Sequence, residues 1–267
     1  MERKTYGKVL ICCICFLTLI YGLARMDRRN RINERKDQPT MAQHRALDQQ
    51  KDQAIVQRVM YLTFDDGPSK HTKAILDILD QYQIKATFFV SGADEASFDL
   101  LTEIHKRGHA LGIHTYSHAY STIYSSVDAY FQDVDKVKNL IYEKTGVTTH
   151  ILRFPGGSSN TVSRNYRQGI MSELAKECEK RGYVYYDWNG ENGDGDPSLS
   201  ADTLYEKAMK SCKGKQSVMM LMHDGAGNEA TLQALERTLE EWIAQGWEFR
   251  IIEESDDMPI FHHTIAN

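Results

Sequence analysis

Proline and cysteine are both scarce in this chain, at 5 of each in 267 residues. Three of the cysteines (Cys12, Cys13, Cys15) fall together in one apolar segment near the N-terminus. The other two, Cys178 and Cys212, lack the short spacing of a thiolate metal site, so a cysteine-held metal is not expected. They could pair in an oxidising exterior, but sequence does not show that their Cα atoms approach, and the bridge stays open. Basic charge is also missing where nucleic acid would need it. Residues 1–53 carry 11 Lys and Arg against 6 Asp and Glu, a balance of +5, whereas residues 54–267 carry 21 against 31, a balance of −10. Phosphate contacts need clustered Lys and Arg, so nucleic acid is excluded as a partner. No Gly-rich phosphate loop of the Lys-Ser/Thr type is present either. What remains is ordinary for a globular chain, 41% hydrophobic and 26% charged, and long enough for one substantial domain with a full core.

The N-terminal apolar run, residues 9–24, has only 16 residues and follows Arg3, Lys4 and Lys8. A membrane-crossing helix uses ~20, although snorkelling flanks can make up the difference. Gly22 and Ala24 offer small residues at cleavage-like spacing, which is the mark of a removed signal peptide. Arg25 follows at once, and Leu19, Ile20 and Tyr21 are bulky for a cleavage region. Residues 1–24 are therefore expected to be a membrane anchor, with a signal peptide as the alternative. Residues 25–54 read as a polar linker and 55–267 as the folded domain. A domain facing the cytoplasm needs no such segment, so this one is expected outside the plasma membrane.

From Val59 onward short apolar runs alternate with amphipathic stretches. Strands are expected at 59–64, 86–90, 110–113, 150–154, 183–188, 218–223 and 249–252. Helices are expected at 72–82, 97–107, 126–144, 164–181, 201–213 and 230–245. In the first helix Ile75, Leu76, Leu79 and Tyr82 fall on one face at steps of 3, 4 and 7. Gly108, Gly146, Gly182, Gly214 and Gly246 each follow a helix, where a left-handed cap is wanted. Seven strands alternating with six helices imply βα units, and so a distorted, incomplete (β/α) barrel of about seven parallel strands.

The residues that carry chemistry gather at the strand ends. Asp65 and Asp66 close the first strand and run into Gly67-Pro68. Two carboxylates so close resist joint ionisation unless a cation lies near. His114 and His118 stand at i,i+4 after the third strand, and carboxylates with such a His pair suggest a divalent metal site. Arg153, Asp187 and His223 follow three later strands. In a parallel barrel the C-terminal strand ends share one face, where active sites are assembled.

Five segments, Thr-Phe-Asp-Asp-Gly-Pro-Ser, His-Thr-Tyr-Ser-His, Arg-Phe-Pro-Gly-Gly, Asp-Trp and Leu-Met-His, stand in the order found in NodB-homology polysaccharide deacetylases (carbohydrate esterase family 4). The resemblance spans about residues 57–253. It implies that Asp66, His114 and His118 hold the metal, a set suited to zinc with an open coordination position and also accepting cobalt, nickel or manganese. It implies Asp65 as the general base acting on water, with Arg153 keeping it ionised. It implies His223 as the general acid and Asp187 as its carboxylate partner, although Val184 stands where the family often has an acidic residue. Gly156 would supply the backbone amide for the oxyanion where many members carry an aromatic residue. Trp188 would offer an apolar face to sugar or acetyl, and Leu221 would line the acetyl pocket. The reaction implied is removal of N-acetyl groups from an extracellular N-acetylglucosamine polysaccharide, with peptidoglycan the leading substrate. An O-acetyl xylan-type esterase, a chitin-oligosaccharide deacetylase and a non-catalytic glycan-binding domain are the alternatives.

Three further features are read as bland. Residues 189–196, dense in oxygen ligands, lack the spacing of a calcium-binding helix–loop–helix and read as a flexible rim loop. Tyr116, Tyr120, Tyr124 and Tyr130 could line a sugar groove or pack in the core. The remaining histidines, His44, His71, His105, His109, His150, His262 and His263, belong to no motif and are expected on the surface.

Overall fold

The computed structural model describes residues 57–225, 229–255 and 258–265, so the expected anchor and linker lie outside the described residues. Among the described residues no helix is long and apolar enough to cross a membrane.

Eight strands form one sheet: β1 Arg58–Asp65, β2 Thr87–Ser91, β3 Ala110–Thr115, β4 Ile151–Leu152, β5 Val184–Tyr185, β6 Gly190–Glu191, β7 Ser217–His223 and β8 Trp247–Arg250. The order is β5-β4-β3-β2-β1-β7-β6, and every pairing is parallel. β8 lies along the first half of β1, with Arg58 to Tyr61 opposite Trp247 to Arg250. β2 takes over along the second half, from Thr63 to Asp65. The two edge strands, β5 and β6, have two residues each and do not pair with each other, so the curled sheet stays an open barrel. β6 is an addition to the seven strands expected, and it falls inside the segment read as a rim loop.

Among the described residues seven α-helices accompany the strands: α1 Thr72–Gln81, α2 Leu100–Lys106, α3 Tyr120–Ile123, α4 Val127–Thr145, α5 Ile170–Lys180, α6 Ala201–Cys212 and α7 Glu229–Ala244. α1 buries Thr72, Ile75, Leu76 and Leu79, the stripe its periodicity predicts. α4 begins where the Ser126 hydroxyl accepts the Ala129 N–H at 3.0 Å, and ends at Gly146, whose φ of 74° is the left-handed cap. The stretches expected as longer helices at 97–107 and 164–181 each resolve into a 3₁₀ turn followed by a shorter α-helix.

Strand alternation divides the core in two. Met60, Leu62 and Phe64 of β1 join Phe88, Val90, Ile113, Leu152, Val218, Met220 and Met222 in the large cluster shared with the helices. The intervening residues face the concave side, where Tyr61, Phe89, Ile151, Tyr186, Met219 and Ile252 form a smaller cluster. Period-two geometry then requires Asp65, His114, Arg153 and His223, each in step with these inward residues, to emerge on the same concave side. Arg153 and Tyr186 still donate their N–H groups to the Ile113 and Leu152 carbonyls, at 2.9 and 2.8 Å, but residues 154 and 187–188, expected as strand, leave the ladder. Asp187 instead donates its N–H to the Phe261 carbonyl at 2.8 Å, so the C-terminal segment takes over the backbone pairing there.

Candidate active site

Asp65 is the last residue of β1 and is almost fully buried. Asp66 leaves the strand with φ of 70°, which turns its side chain to the same mouth instead of the opposite face. The turn is tied down on both sides. The Ser91 hydroxyl donates to the Asp66 carbonyl at 2.9 Å, and the Asp224 N–H donates to the Asp65 carbonyl at 2.8 Å. Asp224 itself is buried, accepting from the hydroxyls of Ser69 at 3.1 Å and Thr72 at 2.5 Å. Burial pushes its carboxyl up to about 7.

His114 stands on β3, and His118 in the turn beyond it with φ of 50°. The Ser117 N–H between them is held by the buried Asp133 of α4 at 2.8 Å. Asp66 Oδ1 lies 3.5 Å from Nε2 of His114 and 3.5 Å from Nε2 of His118. These ligand atoms all fall within 4.8 Å of one another. Asp66 Oδ1 is buried and has no hydrogen-bond partner among the described residues. A carboxylate oxygen left unpaired between two imidazole nitrogens costs free energy unless a cation joins them, and the three residues fit a divalent metal. His114 is already set for that role. Its Nδ1–H donates to the Arg153 carbonyl at 2.9 Å, which leaves the Nε2 lone pair facing Asp66. Burial lowers its pKa to about 3, keeping it neutral and able to ligate.

Arg153 is fully buried and spends its guanidinium on fixed partners. Nη1 donates to Asp65 Oδ1 at 2.8 Å and to Thr63 Oγ1 at 2.7 Å, Nε to the Tyr186 carbonyl at 2.9 Å, and Nη2 to the Asp187 carbonyl at 3.3 Å. Burial raises the Asp65 pKa, while the charges of Arg153 and His223 oppose that rise. The pairing anticipated for Arg153 and Asp65 is therefore what the fold forms.

His223 ends β7 directly beside Asp65 in the sheet register. Its carboxylate partner is Asp194, not Asp187: Nδ1 lies 2.7 Å from Asp194 Oδ1, and the His223 N–H donates to Asp194 Oδ2 at 2.9 Å. Asp194 is buried and also accepts from the Thr231 hydroxyl at 2.7 Å. Burial works to lower the His223 pKa, but the Asp194 hydrogen bond and the charges of Asp194, Asp65 and Asp66 outweigh it and raise the value to about 9. Asp187 faces elsewhere, accepting from the Ser158 N–H at 2.7 Å, from the Ser158 hydroxyl, and from the His263 N–H at 2.8 Å. The expected pairing fails because residues 186–188 sit at the β5 edge of the sheet. The 189–196 segment instead lies beside β7 through β6, which brings Asp194 under His223. That segment is a built wall, with Asn192 and Asp194 both buried.

The cleft over these groups has a volume of about 520 Å³ and is lined by Asp65, Asp66, His114, His118, Tyr120, Gly156, Trp188, Leu221 and His223, among others. Gly156, Trp188 and Leu221 thus reach the cleft, as expected. Gly156 has φ of 75°, and a Cβ there would lie 2.6 Å from the Tyr120 hydroxyl oxygen. Tyr120 so occupies the space that a side chain at 156 would claim. Tyr124 and Tyr130 are core residues, with the Tyr124 hydroxyl donating to the Pro155 carbonyl at 2.6 Å. The surface reading of the spare histidines fails for His71 and His109, which are buried. His109 Nδ1 accepts the Ala86 N–H at 3.1 Å. Cys178 and Cys212 are both free and buried.

Sequence reasoning missed Asp194, Asp133 and Ser158. Asp194 carried a faint signal, an acidic residue in a polar segment leading into α6; the other two carried none.

Comparison with known proteins agrees with this geometry. Residues 52–170 match the family model described as polysaccharide deacetylase. The catalytic domain of a peptidoglycan N-acetylglucosamine deacetylase from Eubacterium rectale is 38% identical, with a TM-score of 0.75, covering 79% of this chain and 94% of that one. A peptidoglycan-N-acetylglucosamine deacetylase of Bacillus cereus is 29% identical over 210 residues, 76% of this chain and 72% of the relative. A bifunctional xylanase/deacetylase of Pseudobutyrivibrio xylanivorans is 30% identical over 205 residues, 76% of this chain but 31% of that larger protein. The incomplete parallel barrel, the Asp-His-His cluster and these likenesses lead to one conclusion: the chain belongs to the polysaccharide deacetylase family of hydrolases.

Proposed function

We propose that this protein is a metal-dependent de-N-acetylase acting on an extracellular N-acetylglucosamine polymer, with peptidoglycan the leading substrate. The observation that carries this reading is the flanking of Asp65 in one cleft: the Asp66, His114 and His118 cluster lies to one side and the Asp194-bound imidazole of His223 to the other. Asp66, His114 and His118 would hold a divalent cation, which would supply Lewis-acid polarisation and a lowered pKa for nearby water. Zinc suits one carboxylate and two imidazoles, and cobalt, nickel and manganese are accepted by the same donors.

The chain's own residues do the rest. Asp65, oriented by Arg153, accepts a proton from the attacking water. The Gly156 N–H donates to the oxygen on which charge develops. His223, protonated at neutral pH through Asp194, gives the Nε2 proton to the departing amine. An amine leaves poorly without that proton, whereas an alcohol needs it less, so the Asp194–His223 pair favours an amide over an ester substrate. Trp188 and Leu221 provide apolar surface for the acetyl methyl and sugar ring. The relatives from Eubacterium rectale and Bacillus cereus, named for peptidoglycan N-acetylglucosamine, support the choice of polymer.

Location enters the same reading. Residues 9–24 are apolar, and a membrane anchor there suits a polymer just outside the membrane. The product carries free amines and makes the glycan more positive.

The test is acetate release from N-acetylglucosamine oligomers, muropeptides and acetylated xylan, with zinc and then with a chelator, alongside Asp65→Asn and His223→Ala. Metal-dependent acetate from an N-acetylated substrate, lost in both variants, supports the reading. Acetate from xylan alone moves the protein to ester chemistry.

A further inference from the structure

The C-terminal segment carries no motif, yet it packs against Trp188, which lines the cleft. Met258 and Phe261 pack on the inner-face cluster, Phe261 edge-on to Tyr61 at 6.3 Å between centroids. His262 stacks on Tyr185 at 3.8 Å and 7°. His263 follows, with both ring nitrogens satisfied. Nε2–H donates to the Trp188 carbonyl at 2.6 Å, leaving Nδ1 to accept from the Ser159 hydroxyl at 3.1 Å. The imidazole also meets the Trp188 ring edge-on at 4.9 Å.

Asp187 joins this segment to the site. It is fully buried, and no ion pair of its carboxylate with Lys or Arg exists among the described residues. Three donors hold it: Ser158 N–H on Oδ1, and the Ser158 hydroxyl and His263 N–H on Oδ2. A buried carboxylate costs several kcal/mol to desolvate unless such bonds compensate, so a residue whose only service were packing would be cheaper as an apolar one. Its bonds run to two places. One is Ser158, two residues from the Gly156 amide; the other is the segment whose next contact is Trp188. Gly157 between them has φ of 78°, and a Cβ there would lie 2.9 Å from Trp188 and 3.2 Å from Asp187 Oδ1. The loop, the tryptophan and the tail are in close contact at one point.

We infer that Asp187 and His263 are positioning residues of the active site, through which the C-terminal segment sets the placement of the Gly156 amide and the Trp188 ring. This rests on the deacetylase reading for its catalytic consequences only. Asp187→Asn turns an NH₂ toward one of the three donors and frees the loop. Because the Gly156 amide acts on the transition state, kcat should fall about tenfold or more while KM stays within about twofold. His263→Ala keeps the backbone bond to Asp187 but removes the ring behind Trp188. Its effect should fall on substrate binding, with KM for an N-acetylglucosamine oligomer rising about three- to tenfold at nearly constant kcat. His263→Phe, which restores a ring, should recover part of that rise. Metal content should match wild type in all three, since no bond of the clamp touches Asp66, His114 or His118.

Amide hydrogen exchange reads the clamp without any turnover. The N–H groups of Ser158 and His263 should be protected in the wild type and should exchange at least about tenfold faster together in Asp187→Asn. Folded, metal-replete variants with wild-type kcat and KM would overturn the inference. If Asp187→Asn does not fold, His263→Ala decides it. If the wild type releases no acetate, the deacetylase reading has failed, and the exchange experiment alone judges the clamp: independent or unchanged protection at the two amides overturns it.

Discussion

The carboxylate of Asp194 grips His223 twice, at 2.7 Å through the imidazole Nδ1 and at 2.9 Å through the residue's own backbone N–H. The double contact fixes the tautomer as well as the position of the ring. Nδ1 carries the proton shared with Asp194, so Nε2 is the nitrogen presented to the cleft. With a raised pKa of about 9, the imidazole is in its acid form at neutral pH and loses that form only as pH rises through about 9.

The pH profile should follow. In Asp194→Asn the hydrogen bond to a charge is gone, and the His223 pKa should drop toward its ordinary ~6.5. The alkaline limb of kcat/KM should therefore move down by about one to two pH units, and activity at pH 8 should fall about 2- to 10-fold. Asp187→Asn should leave that limb where it is. A shared shift in both variants would return Asp187 to the role first expected of it.

Chelation should abolish acetate release, and zinc should restore it. Metal added to the stripped protein should raise its melting temperature, since a ligand at 100 times its Kd stabilises the folded state by about 2.7 kcal/mol. Asp66→Asn and His114→Ala should lose both the bound metal and the thermal response, measured by metal analysis and calorimetry.

Arg153→Met should be the most damaging single change to stability near the site. It leaves the buried Asp65 carboxylate unpaired and strands the carbonyl of Tyr186, a loss on the order of 3–5 kcal/mol. Adding Asp65→Asn should recover part of that stability, though no activity. Denaturant unfolding of the two variants checks this.

Gly156→Ala should reduce kcat/KM by about tenfold or more with metal content unchanged. The added methyl meets the Tyr120 hydroxyl at 2.6 Å, on a backbone with φ of 75° that disfavours any side chain. Combining it with Tyr120→Phe removes the struck oxygen and should return part of the activity. No recovery in the double variant would assign the loss to the backbone alone.

Reductant should leave the melting temperature unchanged, because Cys178 and Cys212 are free thiols. Burial pushes their pKa values up to about 12 and about 11, so neither should react with a thiol reagent until the chain unfolds.

Much of this was legible in the residues themselves. The near-continuous apolar run of residues 59–64 and the i, i+3, i+4 stripe of Ile75, Leu76 and Leu79 are local, so they report strand and helix directly. Asp65, Asp66, His114, His118, Arg153 and His223 stand at the ends of strands, and parallel topology alone carries them to one face. Where a residue's role depends on which chain segment lies beside it, sequence has nothing to measure. Asp187 and Asp194 are both acidic residues after the same apolar run, seven positions apart. Only the sheet decided between them: the β5 edge turns Asp187 toward Ser158 and the C-terminal segment, while β6 pairs with β7 and delivers Asp194 to His223. The same holds for His263, an unremarkable residue near the chain end until the tail folds against Trp188. Local periodicity and strand-end placement are encoded within a few residues; partnership across an open barrel edge is a tertiary property, set by which backbone donors remain to be paired.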